Sequence, residues 1–228
     1  MSGSVVPPEL RCEAFFDLAT GWAGAPLFEA GLPVWSALAR LSHYLSERMA
    51  GAGVPTLPEG VYATGDVVIL GEVDIEPGVY IQGPALIESG AVLRQGAYIR
   101  GHVLVGPGCV VGHCTELKNT VLLPGAKAPH FNYVGDSLLG RDVNLGAGTM
   151  LGNLRLDREP LSLKVNGVRY QTGLKKLGAI LGDGCQTGCQ VVFNPGTVAG
   201  KGCRFWPQAN AAGWFPAGSV VRTAVERS

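Results

Sequence analysis

The sequence predicts a mainly β chain, most of it a parallel β-helix built from six-residue rungs. The first observation is a period. From residue 65 to 124 the chain reads in blocks of six, and the fifth position of each block is Ile69, Ile75, Ile81, Ile87, Leu93, Ile99, Val105, Val111, Leu117 and Leu123. The second is a companion column at the third position: Val67, Val73, Val79, Ala85, Ala91, Ala97, Val103, Cys109, Thr115 and Val121. The third is composition, with 34 glycines in 228 residues and only 16% charged residues, against about a quarter in ordinary domains. No α-helix has a period of six, and a plain strand has a period of two with no turn at every sixth residue.

Each block fits one short strand with two inward side chains and a corner. Gly, Pro, Asn and Asp at the block boundaries suit the corners. Three strands then close a coil of 18 residues, and coils stack ~4.8 Å apart. Each inward aliphatic sits on the one a coil away. Burying one fully is worth about 1.5–3 kcal/mol.

The other elements follow in chain order. Residues 1–61 carry apolar residues at helical spacing, such as Trp35, Leu38, Leu41 and Leu45, with Pro33 before the run and Gly51 after it. They are expected to form a helical N-terminal cap over the solenoid end. Residues 62–228 form the solenoid domain. Its phase slips after Leu123, and the ladder reappears as Leu139, Leu145 and Leu151, so extra residues are expected around 125–133. It resumes at Leu181, Thr187, Phe193, Ala199, Phe205 and Ala211. Between them, residues 155–176 break the code, and Asn166-Gly167 between two alternating runs marks a projecting β-hairpin.

Composition narrows the function. Eighteen basic and eighteen acidic residues give no electrostatic case for nucleic acid or an anionic membrane as partner. No basic start with an apolar run opens the chain, and no stretch of about 18 apolar residues could span a bilayer; a cytoplasmic location is expected. The six cysteines show no C-x-x-C pairing. They are expected to be reduced core residues, and no recognised ligand spacing calls for a metal.

Chemistry is expected where the repeat fails, and the segment 124–138 holds His130. The run HFNYVGDSLLGRDVNLGAGTMLGNLRLD (130–157), with H-x-x-Y-x-G-D, then N-x-G-A-G-T and a further Asn, resembles the acetyltransferase domain of the bifunctional N-acetylglucosamine-1-phosphate uridyltransferase/glucosamine-1-phosphate acetyltransferases. The hairpin after that Asn and the tail LKKLGAILGD (174–183) look most like the archaeal-type sugar-1-phosphate nucleotidylyltransferase/acetyltransferases. The resemblance implies a left-handed parallel β-helix and N-acetyl transfer from acetyl-CoA to an amino-sugar 1-phosphate such as glucosamine 1-phosphate. It implies His130 as general base, a role suited to an imidazole that titrates near neutrality. Asn153 would hold the amine and acetyl region. Arg100 and Lys118 would hold the sugar phosphate, Arg by a bidentate grip and Lys as a point charge, with Tyr133, Asn132 and Lys176 also on the substrate. Ala147 and Gly146 would face acetyl-CoA through their backbone. Cys189 stands where the bacterial enzymes carry a serine near the thioester.

The resemblance also implies a homotrimer with sites between neighbouring solenoids. Residues 1–61 contain no Gly-rich pyrophosphorylase loop, so uridylyl transfer is not expected from them. Two other functions stay open at this level: an acyltransferase acting on a nucleotide sugar, and a non-catalytic solenoid that partners a separate sugar nucleotidyltransferase.

Overall fold

The computed structural model describes residues 6–222; the outer ends of both expected domains, 1–5 and 223–228, lie outside the described residues. Three parallel faces enclose one apolar column. The first face has eight strands: Tyr62–Thr64, Tyr80–Gln82, Tyr98–Arg100, Glu116–Lys118, Tyr133–Gly135, Met150–Leu151, Val192–Phe193 and Asn210–Ala211. The second face also has eight, from Val67–Leu70 through Thr120–Leu122 and Leu138–Leu139 to Trp214–Phe215. The third is a four-stranded run that includes Val110–His113 and Lys127–His130, and a three-stranded run from Gln186–Thr187 to Val220–Val221. Asn144 bridges Lys127 and Gln186 and joins the two runs.

The aliphatic ladder is the core. Ile75, Ile81, Ile87, Leu93, Ile99, Val105, Val111 and Leu117 all pack in the interior column with their smaller companions, and Ile69 packs at its edge. At the far end Phe193, Phe205 and Phe215 stack edge to face, with centroids 4.8 and 5.3 Å apart. Cys109, Cys185 and Cys203 are free thiols in this column, and Cys12 is free and buried outside it. Cys114 and Cys189 depart from the expectation of core cysteines: both are exposed at corners.

The phase slip has the opposite cause from the one expected. Nothing is inserted; coils lose a residue. Ile81 pairs with Ile99, eighteen residues on, but Leu117 pairs with Val134 and Val134 with Leu151, seventeen residues on. Thus Leu122 enters the interior column in place of Leu123, followed by Ala128, Val134 and Leu139. Val121 and Leu123 turn outward, because a one-residue slip moves every side chain to the other side of the strand. Thr120 turns inward, and its hydroxyl donates to the Val134 carbonyl at 3.0 Å.

The N-terminal segment is not an end cap; it wraps one flank. The outward residues of the second face, Leu86, Leu104, Val121, Leu138, Ile180 and Val198, are apolar and share a second core with Leu10, Phe15, Phe16, Trp22, Leu38, Leu41 and Leu45. Leu38, Leu41, Leu45 and Met49 form the buried side of the helix Ser36–Met49, after which Gly51 takes a left-handed φ of 77°. The apolar stripe of this helix and the apolar outer side of the sheet each need a partner, and each covers the other. Two carboxylates latch the wrap. The Ala23 N–H donates to both Glu88 oxygens at 2.9 and 3.0 Å, and the Asp17 N–H donates to Asp183 at 2.6 Å. Burial raises both carboxyl pKa values above the usual range.

The hairpin is present as Ser162–Val165 paired antiparallel with Val168–Gln171 around Asn166-Gly167. Leu161, Leu163 and Val165 join the same second core. Its base closes when Leu177 N–H donates to the Asn153 carbonyl at 3.0 Å. Among the described residues no helix is long and apolar enough to cross a membrane.

Candidate active site

The first face supplies a surface between two corners. Its outward positions form two columns along the axis. Register puts Tyr62, Tyr80, Tyr98, Glu116, Tyr133 and Met150 in one column. The other contains Gln82, Arg100, Lys118 and Gly135. Arg100 and Lys118 are therefore one coil apart, ~4.8 Å along the axis, and Lys118 stacks directly on Gly135. Tyr133 lies along its strand. A Cβ placed on Gly135 would come within 2.6 Å of the Tyr133 hydroxyl and 2.7 Å of Asn153 Nδ2, so both groups are folded over this glycine. The structure thus brings Arg100, Lys118, Tyr133 and Asn153 together. Lys176 is exposed beside Leu177, whose N–H is bonded to Asn153.

The corner between the first and second faces explains Asn153. Asn119 and Asp136 each form the shortened corner alone, in the left-handed region at φ 47°, which Asn and Asp tolerate better than other side chains. One Asp136 oxygen accepts from Asn119 Nδ2 at 2.8 Å, and the other accepts from Asn153 Nδ2. With its nitrogen held by Asp136, Asn153 keeps its carbonyl oxygen as the end free to turn toward a donor. Burial, then the carboxylates of Glu116 and Asp136, raise the Tyr133 pKa, which keeps the phenol protonated.

His130 stands at the opposite edge, where the third face turns into the first. It ends its strand in register with His113 and is exposed; Phe131 follows in the left-handed region at φ 51° and packs edge to face on His113 at 5.3 Å. Asn132 is buried, only 2% exposed. Its Oδ1 accepts from the His130 N–H at 3.1 Å and its Nδ2 donates to the Gly146 carbonyl at 2.9 Å. The direct substrate contact expected of Asn132 is corrected by this burial: the residue ties the His130 corner to the next one and positions both.

The expected acetyl-CoA residues occupy the same corner in the following coils. Gly148 N–H donates to the His130 carbonyl at 3.0 Å, and Gln190 N–H to the Ala147 carbonyl at 2.7 Å. Ala147 thus lies one coil beyond His130, and Cys189 two. Gly146 presses against the backbone of Gly188 and Cys189, where a Cβ would meet atoms at 2.3 Å. Ala147 and Cys189 put short side chains at this corner, and exposed Gln190, at φ 59°, follows Cys189 and lies over Gly148.

The sequence reading passed over Glu116, Asp136 and Asn119. Glu116 accepts from Arg100 at 2.7 Å, an exposed pair, and it sits between Tyr98 and Tyr133 in the column. Asp136 was visible as the last residue of H-x-x-Y-x-G-D. Asn119 carried no signal until the seventeen-residue register put it over Asp136. Among the described residues no group of three or more His, Cys, Asp or Glu could hold a metal ion.

Fold and site together define a hexapeptide-repeat β-solenoid with a histidine-centred corner. Residues 81–201 match the family described as GMPPB C-terminal domain, and the chain belongs to that family. The chain is 42% identical over 99 residues to a bifunctional sugar-1-phosphate nucleotidylyltransferase/acetyltransferase of Sulfurisphaera tokodaii, covering 43% of this chain and 25% of that protein. It is 41% identical over 167 residues to the bifunctional protein GlmU of Methanococcus maripaludis, covering 73% of this chain and 40% of that one. It therefore spans well under half the length of these curated relatives. The resemblance read from residues 130–157 is borne out. Among solved structures, the chain overlaps a Francisella novicida UDP-N-acetylglucosamine acyltransferase over 69% of its length and 60% of the other's, at 14% identity and TM-score 0.44. It also overlaps the acetyltransferase domain of PglB from Neisseria gonorrhoeae over 68% and 58%, at 17% identity and TM-score 0.40.

Proposed function

We propose that the chain transfers an acetyl group from acetyl-CoA to the amine of an amino-sugar 1-phosphate, such as glucosamine 1-phosphate. The observation that carries this reading is the corner itself. An exposed imidazole, His130, is followed along the axis by the short side chains of Ala147 and Cys189 in the next two coils, and it borders the face that carries Arg100, Lys118, Tyr133 and Asn153. The acceptor amine attacks the thioester carbon while His130 removes its proton. The new C–N bond forms, the C–S bond breaks, and the thiolate leaves with the proton that His130 held. Arg100 and Lys118, one coil apart, meet the phosphate, and Lys176 adds a third cation from the hairpin base. Asn153 accepts a hydrogen bond from the amine through Oδ1, since Asp136 holds its nitrogen.

The wrap covers the second face. A homotrimer would use the other two, which places the His130 corner at the seam between copies. Light scattering at micromolar concentration tests this, and a stable monomer would count against it. The reaction is tested by thiol release with a panel of amino-sugar phosphates and nucleotide sugars. Turnover with glucosamine 1-phosphate that is unchanged in His130→Ala would remove the mechanism.

A further inference from the structure

The corner between the first and second faces carries a ladder of Asn, Asp and Asn. The register stacks Asn119, Asp136 and Asn153 at equivalent positions of successive coils. Asp136 is the middle rung and is buried, 6% exposed. One of its oxygens accepts from Asn119 Nδ2 at 2.8 Å, and the other accepts from Asn153 Nδ2. Its backbone is tied on both sides. The Asp136 N–H donates to the Lys118 carbonyl at 2.8 Å, and its carbonyl accepts from the Gly178 N–H at 2.8 Å. A carboxylate offers acceptors only, so an amide beside it must turn its nitrogen inward. Flipping Asn153 would set oxygen against oxygen. The outward atom of Asn153 is therefore Oδ1, an acceptor, for as long as the Asp136 carboxylate stands behind it.

We propose that Asp136 is a positioning residue that makes the site select an amine over a hydroxyl. This rests on the reading above, in which His130 and Asn153 both meet the attacking group. Two acceptors then face one nucleophile. An amine satisfies both, giving one hydrogen to the imidazole and another to Asn153 Oδ1. A hydroxyl has a single hydrogen. Once the imidazole takes it, Asn153 Oδ1 is left facing an oxygen lone pair. An acceptor left unpaired in the bound complex costs roughly 5- to 100-fold in affinity. The Asp136 charge, one amide away, adds to this by favouring an acceptor that arrives as an ammonium. With Asn in place of Asp136, the new amide can donate to Asn153 Oδ1 and let Nδ2 turn outward, so the preference depends on the carboxylate.

The test compares glucosamine 1-phosphate with glucose 1-phosphate, which carries a hydroxyl where the former has its amine. Titration calorimetry reads the binding of each, and thiol release reads transfer. The wild-type chain should bind the amine roughly tenfold or more tightly than the hydroxyl. Asp136→Asn should erase this preference, raise the KM for glucosamine 1-phosphate about tenfold and leave the KM for acetyl-CoA unchanged. The exchange Asp136→Asn with Asn153→Asp again sets a donor against an acceptor and turns an oxygen outward, so it should restore the preference. Asn119→Ala removes the other arm of the ladder; it should lower the thermal melt and keep the preference. An unchanged preference in Asp136→Asn would overturn the assignment and leave the reaction standing. So would an equal loss of both phosphates that the double exchange does not recover, the mark of a corner that has merely loosened. Should Asp136→Asn fail to fold, the double exchange decides: the wild-type preference upholds the assignment, and its loss overturns it. A preference that depends on Asp136 in a chain that transfers no acetyl group would uphold the positioning role and refute the reaction. A wild-type chain that binds both phosphates equally, or neither, would overturn the assignment.

Discussion

The coils up to Leu117 and the two that follow share an interior and differ at one corner. In the earlier coils the turn from the first to the second face takes two residues, as in Gly101-His102, both at positive φ. In the later ones a single left-handed residue suffices, first Asn119 and then Asp136. The aliphatic stack runs through both kinds without a gap. The shortening therefore leaves the core intact and acts at the surface, where it stacks Asn119, Asp136 and Asn153 through one shared carboxylate. Regular coils build the column, and short coils build a rigid polar corner on it. That corner and the His130 corner lie at the two edges of the same strand, Tyr133–Gly135.

The largest expected effect is chemical and confined to the short coils. His130→Ala should lower turnover about 10²- to 10⁴-fold, the usual range for general base catalysis. The thermal melt should stay in place, since the side chain is exposed. Next comes the shared stack. Leu117→Ala and Leu139→Ala, both fully buried, should each cost about 2–5 kcal/mol in denaturant unfolding. A clearly smaller cost at Leu139 would show that the short coils do not continue the column. Gly135→Ala should be milder still. The new methyl group displaces the Tyr133 hydroxyl and the Asn153 amide, so the acceptor KM should rise roughly tenfold, about the loss of one hydrogen bond, with kcat less affected. Gly101→Ala in a regular coil should strain its positive φ and leave that KM alone.

The smallest effect concerns pH. Burial raises the pKa of Glu88 and Asp183 in the folded chain. The folded state therefore binds more protons than the unfolded one between the ordinary and the raised values. Stability from these groups is fully present below the ordinary carboxylate range and falls as pH rises through the folded values. Amide exchange in residues 10–49 should be a few-fold faster at pH 8 than at pH 5, after correction for intrinsic rates. Equal protection would show that the latches do not depend on charge.

Much of this was legible from single residues. A six-residue period with branched aliphatics at one phase has one geometric solution, because a strand alternates its sides and a corner must follow every few residues. Asn166-Gly167 located the hairpin, and the spacing of His130, Tyr133 and Asn153 marked the proposed site. The side cover was written too, in Val68, Leu86 and Leu104, which give the second face an apolar outer side. The inward positions of the period carry no sign of it. By itself the sequence determined the rung and the ladder, which depend on local alternation and turn preference, and it marked the residues proposed for the chemistry. The tertiary structure decided the rest. A missing residue and an inserted one shift the phase of a linear pattern alike, and only strand pairing distinguishes them. That pairing set the seventeen-residue coils, placed Asn119 over Asp136, buried Asn132 behind His130, and laid the N-terminal helix along the flank.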